Sequence, residues 1–178
     1  ANSVRIREFV LTGEIKIQKD YDELTGLKNK SALTREINAF LEDPLTNHGT
    51  LFILDIDRFK SINDTYGHSV GDRVIHEVGA FLGSRFKDPV ITGRFGGDEF
   101  IVFIKNTGDR VSASKTAEMI ITEAREAVSL PDEGNRISLS IGIALYHGEE
   151  KDYSELFKKA DIALYRAKAD SGMRYDVF

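Results

Sequence analysis

The stretch Gly93-Arg94-Phe95-Gly96-Gly97-Asp98-Glu99-Phe100 constrains the fold more than any other part of the chain. Apolar and polar residues alternate around it, with Thr92 to Phe95 leading in and Phe100 to Ile104 leading out. Two β-forming runs that meet at a Gly-Gly pair read as a hairpin, because glycine accepts the positive φ angles that tight hairpin turns demand. The pattern predicts that Asp98 and Glu99 project from the hairpin tip. Acidic residues so placed suit holding a divalent cation, or handling a proton, beside a phosphate. Gly, Asp and Glu are also common in solvated turns, so this string alone leaves both readings open.

A second acidic cluster comes earlier. Thr50 to Ile56 is a short, nearly all-apolar run that ends in Asp55, Ile56 and Asp57. Such a run reads as a strand buried on both faces. A carboxylate at the exit of a buried strand is a poor core residue and a good ligand. Asp55 and Asp98, on separate elements, could share hard cations such as Mg²⁺ through oxygen. Asp57 directly precedes the helical-looking Arg58 to Ile62 and reads as its cap.

The rest of the chain alternates helices and strands. Asn29 is expected to cap a helix with Leu33, Ile37, Phe40 and Leu41 on one face, ended by Pro44. A short helix to about Asn63 and a longer one from about Val70 to Phe86 follow the Asp55 strand. Pro89 marks the entry to the hairpin. A helix over Val111 to Val128, a strand over Arg136 to Tyr146, a helix over Tyr153 to Ala169 and a strand over Arg174 to Phe178 complete the pattern. The order βαββαβ predicts an α+β fold, a ferredoxin-like sheet with antiparallel strands and helices on one face. Residues 1–21 read as an extension or linker. In it Val4 to Ile6 and Glu14 to Ile17 alternate around Thr12-Gly13 as a hairpin would. Residues 22–178 read as one domain, long enough for a sizeable core.

Composition narrows the chemistry. The chain has no cysteine, so disulfide and thiol chemistry do not arise. No apolar run approaches the roughly 20 residues of a membrane span, and no secretory signal is visible, so a cytoplasmic domain without membrane contact is expected. A net charge of −5 argues against a general nucleic-acid surface. It does not argue against a nucleotide, since bound cations offset charge locally.

Several strings in order carry a resemblance. They are Asp22-Glu23-Leu24-Thr25-Gly26-Leu27-Lys28-Asn29-Lys30, Asp55-Ile56-Asp57-Arg58-Phe59-Lys60 with Asn63-Asp64 and Gly67 to Asp72, and Gly96-Gly97-Asp98-Glu99-Phe100. Ser140 to Ala144 and Ala160 to Lys168 follow. From about Asp22 to its end the chain resembles the GGDEF domain, the diguanylate cyclase family, with Lys30 where arginine is usual. The resemblance implies a core like that of nucleotide cyclases and polymerase palms. It implies condensation of two GTP into cyclic di-GMP with release of two pyrophosphates, by two-metal chemistry with two Mg²⁺ or Mn²⁺ per site.

On that resemblance, Asp55 and Asp98 supply carboxylate ligands and Ile56 a backbone carbonyl. Glu99 assists deprotonation of the attacking hydroxyl. Lys60 and Lys168 pair with phosphate oxygens, and the backbone amides of Arg58 and Phe59 add anion donors. Asn63 and Asp72 read guanine; without the resemblance they read as a helix-end residue and an N-cap. His68 is expected to be structural. Each subunit would carry one GTP, so catalysis would need a homodimer, driven by an upstream sensor domain. A downstream EAL phosphodiesterase domain is compatible with the way the chain ends. The alternative is a weak or inactive GTP-binding domain that regulates such a phosphodiesterase.

Two departures from the family pattern stand out. Where a Gly-Arg pair is expected after Lys168, this chain has Ser171 and Gly172, with Arg174 nearby. The family's Arg-x-x-Asp product site would fall on Lys87 and Val90, so it is expected to be absent. Arg85-Phe86-Lys87-Asp88 has the right spacing two residues too early.

Overall fold

Gly49–Ile56 forms β1, and all eight of its residues are buried. A strand with no solvent-facing side must be covered on both faces, so the sheet built around it is a middle layer. The computed structural model describes residues 19–170 and 172–178. In chain order the elements are α1 (Lys30–Glu42), β1, α2 (Phe59–Tyr66), α3 (His68–Arg85), β2 (Ile91–Gly96), β3 (Glu99–Lys105), α4 (Arg110–Ala127), β4 (Leu139–Tyr146), α5 (Tyr153–Ala169) and β5 (Tyr175–Val177). The hairpin expected over residues 4–6 and 14–17 lies outside the described residues.

The strands lie in the order β2-β3-β1-β4-β5. β1 is antiparallel to both β3 and β4, β2 is antiparallel to β3, and β5 adds to β4 in parallel. Without β5 this is the ferredoxin-like arrangement expected from the sequence, an α+β fold.

One expectation fails. Helices cover both faces of the sheet, not one. On one face Phe52, Leu54 and Ile56 of β1 pack with Val74, Val78 and Leu82 of α3 and Ala117, Ile120 and Ala124 of α4. On the other, Leu51 and Ile53 pack with Leu33, Ile37 and Phe40 of α1 and Leu156, Ala160 and Leu164 of α5. The reason is β1 itself, which is apolar on both faces from Leu51 to Leu54. Exposing either face would forfeit about 1.5–3 kcal/mol for each large side chain left in water.

Element ends shift by a few residues. α2 runs on to Tyr66 and α3 begins at His68, so Asn63 is internal to α2 and Asp72 internal to α3, which Gly67 caps. β4 begins at Leu139, and Arg136 forms only an isolated bridge with Ser129. Asn29 does cap α1, its side chain accepting the Ala32 amide at 3.0 Å. α4 and α5 are capped in the same way by Asp109 and Asp152.

Candidate active site

The strand register assembles the acidic residues. Asp55, the seventh residue of β1, lies opposite Glu99 of β3 on one side and Ser140 of β4 on the other. Gly97, at φ +53°, and Asp98 form the turn between β2 and β3. The Ile56 amide donates to the Asp98 carbonyl at 3.3 Å, which joins this turn to the end of β1. Glu99 therefore does not project from the tip as the sequence suggested. It is half-buried and opens β3, because antiparallel pairing with Asp55 holds its backbone in the sheet.

Lys168 reaches this point from the end of α5, with its Nζ 2.8 Å from Asp55 Oδ2. Close packing of the helix brings it there. A Cβ on Gly142 of β4 would run into the backbone of Ala160 and Leu164, so α5 sits directly on the sheet. Burial pushes the Asp55 carboxyl above its usual range; the Lys168 hydrogen bond lowers it, and the negative charges of Asp98 and Asp57 raise it again. Burial also raises Glu99, and the charges of Asp55 and Asp98 add to it. Three like charges at a strand edge with one ammonium form a site short of positive charge.

This donor set fits a hard divalent cation, since it consists of carboxylate oxygens whose mutual repulsion a cation would relieve. Among the described residues no three His, Asp or Glu side chains converge as a ready-made cage. A cation held by Asp55 and Asp98 would therefore be completed by main-chain or substrate oxygens.

α2 and α3 place the remaining candidates. Ile62 N–H makes the first bond back to the Arg58 carbonyl, so the amides of Arg58 and Phe59 precede the helical ladder. Arg58 takes the left-handed conformation at φ 54°, turning the chain sharply out of β1. Lys60 is exposed on α2. Asn63 lies against the first turns of α3. A Cβ on Gly71 would collide with its Oδ1, a buried atom with no hydrogen-bond partner among the described residues. Asp72, next to Gly71, is exposed. A buried acceptor without a partner beside an exposed carboxylate suits recognition of a ligand that carries donors.

Asp57 is not a helix cap. Its carboxylate accepts from Ser138 Oγ at 2.5 Å and Ser140 Oγ at 2.6 Å, and from Arg174 Nη1 at 3.0 Å. These partners come from β4 and the segment before it, and from the approach to β5. With Asp55, Arg58, Arg136 and Lys168 they line a cleft of about 740 Å³. Arg174 thus faces the cleft, although the position where arginine was expected holds Gly172. His68 is exposed at the start of α3. Arg85 pairs with Glu123 of α4 at 3.2 Å.

Sequence reasoning missed Arg94, which donates through Nε and Nη2 to the Gly97 carbonyl at 2.9 and 2.7 Å. The only signal was an arginine three residues before the turn glycine. It also missed Tyr153, whose buried hydroxyl lacks a partner among the described residues and whose pKa is raised by burial and by the charge of Glu99.

A five-stranded ferredoxin-like sheet with an acidic β2–β3 turn beside Asp55 defines the class, and the comparisons agree. The family model "Diguanylate cyclase, GGDEF domain" matches residues 19–174, so the chain belongs to the GGDEF family. It is 37% identical over 175 residues to the signaling protein YkoW of Bacillus subtilis, covering 95% of this chain and 22% of YkoW. It is 34% identical over 170 residues to the probable diguanylate cyclase DgcC of Escherichia coli K12, covering 92% of this chain and 44% of DgcC. The chain thus spans less than half the length of these relatives. The structure of the coiled coil and GGDEF domain of Caulobacter crescentus DgcB in complex with c-di-GMP superposes with a TM-score of 0.83. That match is at 30% identity and covers 99% of this chain and 92% of the DgcB chain. Among the described residues no helix is long and apolar enough to cross a membrane.

Proposed function

We propose that the chain is the catalytic domain of a diguanylate cyclase, which condenses two GTP into cyclic di-GMP and releases two pyrophosphates. The register of β1 against β3 supports this best: Asp55 stands opposite Glu99, with Asp98 in the adjoining turn and Lys168 on Asp55. Asp55 and Asp98, with the Ile56 carbonyl, would hold the Mg²⁺ or Mn²⁺ ions. When bound, such ions neutralise the triphosphate and lower the pKa of the attacking hydroxyl.

The chain's own residues do the rest. Glu99 takes the proton from the 3′-hydroxyl as its oxygen attacks the α-phosphate of the other GTP. Lys60 and Lys168 pair with phosphate oxygens, and the amides of Arg58 and Phe59 donate to them. Asn63 and Asp72 read guanine, which offers donors at N1 and N2 and an acceptor at O6. One GTP sits on each subunit, so turnover requires a homodimer. An upstream sensor domain would drive its formation in the cytoplasm, where GTP is available.

GTP turnover at high protein concentration with Mg²⁺ or Mn²⁺, beside Asp98→Ala and with product identified by mass, tests the assignment. Cyclic di-GMP from the wild type and none from the variant is the expected result. Metal-dependent GTP binding without product would favour a second reading, a regulatory GTP-binding domain attached to a phosphodiesterase. Gly172 in place of arginine is the observation on that side.

A further inference from the structure

We infer that His48 and His147 form a site for a borderline divalent transition-metal ion, of the Cu²⁺, Ni²⁺ or Zn²⁺ class, at the end of the sheet far from Asp55. The register brings them together. The last paired residues of β1 and β4 are Gly49 and Tyr146, and one further antiparallel step puts His48 opposite His147. Side chains alternate along a strand, so His48 shares its face with Thr50, and His147 shares the same face with Leu145. Seven residue steps along the strand separate His48 from Asp55, about 23 Å at strand rise.

The two rings already stand near chelating geometry. Their centroids are 5.5 Å apart and their planes cross at 84°. Imidazole nitrogens about 2.0–2.1 Å from a tetrahedral ion place the ring centroids roughly 5 Å apart. The observed centroid separation is therefore close to what a shared ion requires. Both histidines are exposed, so an ion has a path to them.

Neighbouring residues orient the pair. His48 Nδ1 lies 2.5 Å from Asn47 Oδ1. A carbonyl oxygen only accepts, so Nδ1 carries the proton and Nε2 keeps its lone pair for a metal. Gly108, in the loop before α4, lies beneath both rings. A Cβ there would stand 3.1 Å from His147 Cε1 and 3.3 Å from His48 Cδ2, crowding the space the rings need.

Among the described residues no third His, Cys, Asp or Glu joins the pair. Water would fill the remaining positions, and neutral imidazoles favour Cu²⁺, Ni²⁺ and Zn²⁺ over the hard Mg²⁺. The site is thus distinct in chemistry as well as place from the one at Asp55. Only the folded chain holds His48 opposite His147, so an ion bound there stabilises the fold by mass action.

The test follows the imidazole resonances of the four histidines during a Zn²⁺ titration of the Asp98→Ala protein. The titration is run at about pH 7.5 with excess Mg²⁺, which keeps the acidic site otherwise engaged. Saturable shifts at His48 and His147 with one ion per chain are expected, while His68 and His76 stay unmoved. His48→Ala and His147→Ala should each lower affinity at least about tenfold and abolish the Zn²⁺-dependent rise in Tm, whereas His68→Ala should do neither. Shifts confined to His68 or His76, affinity unchanged in both alanine variants, or no saturation at millimolar Zn²⁺ would each overturn the inference.

Discussion

Arg94 and Asp22 form an ion pair, Nη1 to Oδ2 at 3.2 Å, across 72 residues of sequence. The same guanidinium donates twice to the Gly97 carbonyl, and Asp22 Oδ1 accepts the Thr25 amide at 3.0 Å and the Thr25 hydroxyl at 2.7 Å. Arg94 therefore ties the tip of the acidic turn to the segment ahead of α1.

Removing this tie should impair catalysis in a protein that still folds. Arg94→Ala is expected to cost about 1–2 kcal/mol, as charge-assisted hydrogen bonds in a half-buried site do. Turnover should fall at least about tenfold, because Asp98 and Glu99 lose their fixed placement. Urea unfolding alongside a GTP assay measures both. Equal losses of turnover and folded fraction would mean that Arg94 only supports the fold.

The acidic cluster should cost stability in the absence of divalent ions. The fold raises the Asp55 pKa above its ordinary 3.8, and Glu99 is raised likewise from 4.5. A carboxyl raised in the folded state stabilises fully below its unfolded pKa, and that contribution is lost as pH rises through the folded value. Asp55→Asn should therefore melt higher than the wild type at neutral pH without metal. The gap should shrink as pH falls through the raised Asp55 value and vanish below its ordinary 3.8. Mg²⁺ should raise the wild-type Tm and leave Asp55→Asn unmoved.

Asn63 depends on the missing side chain at Gly71. Gly71→Ala introduces a methyl group where Asn63 Oδ1 now lies. Although alanine favours a helix by about 1 kcal/mol, the overpacking should cancel that gain. The KM for GTP should rise with little change in kcat, and an unchanged KM would remove Asn63 from guanine recognition.

Gly172 accepts a Cβ without a clash. The nearest atom to an added Cβ is Asp170 Oδ1 at 3.5 Å, an ordinary contact. Gly172→Arg should fold normally and lower the KM for GTP by adding a phosphate partner. A higher KM would show that Arg174 and the new side chain compete for the cleft.

Product should not inhibit at micromolar concentration. Arg85 is held by Glu123, and Lys87 Nζ donates to the Gly83 carbonyl at 2.7 Å. Calorimetry with cyclic di-GMP on the wild type and Arg85→Ala checks this. Tight binding that disappears in the variant would show that the displaced Arg-x-x-Asp works as a product site.

Much of the fold was legible because its determinants are local. Asn29 caps α1 through an amide three residues on, and Leu33, Ile37, Phe40 and Leu41 follow helical spacing onto one buried face. Gly97 provides the one positive φ of the acidic turn. Asp55 could be singled out because a carboxylate ending an apolar strand contradicts its surroundings. The two-sided burial of β1 was legible too, although helices were expected on one face of the sheet only.

The partners of these residues were not legible, because contacts closed by long loops leave no mark on neighbouring positions. Asp57 looks like a helix cap beside Arg58, yet its ligands come from Ser138, Ser140 and Arg174, 81 to 117 residues away. Glu99 looks like a turn residue, yet the pairing of β3 with β1 sets it opposite Asp55. By itself the sequence determined which segments form helices and strands and which of them carry charge where apolar residues belong. The folded sheet alone decided which charges meet, since register and helix packing arise only once the strands are paired.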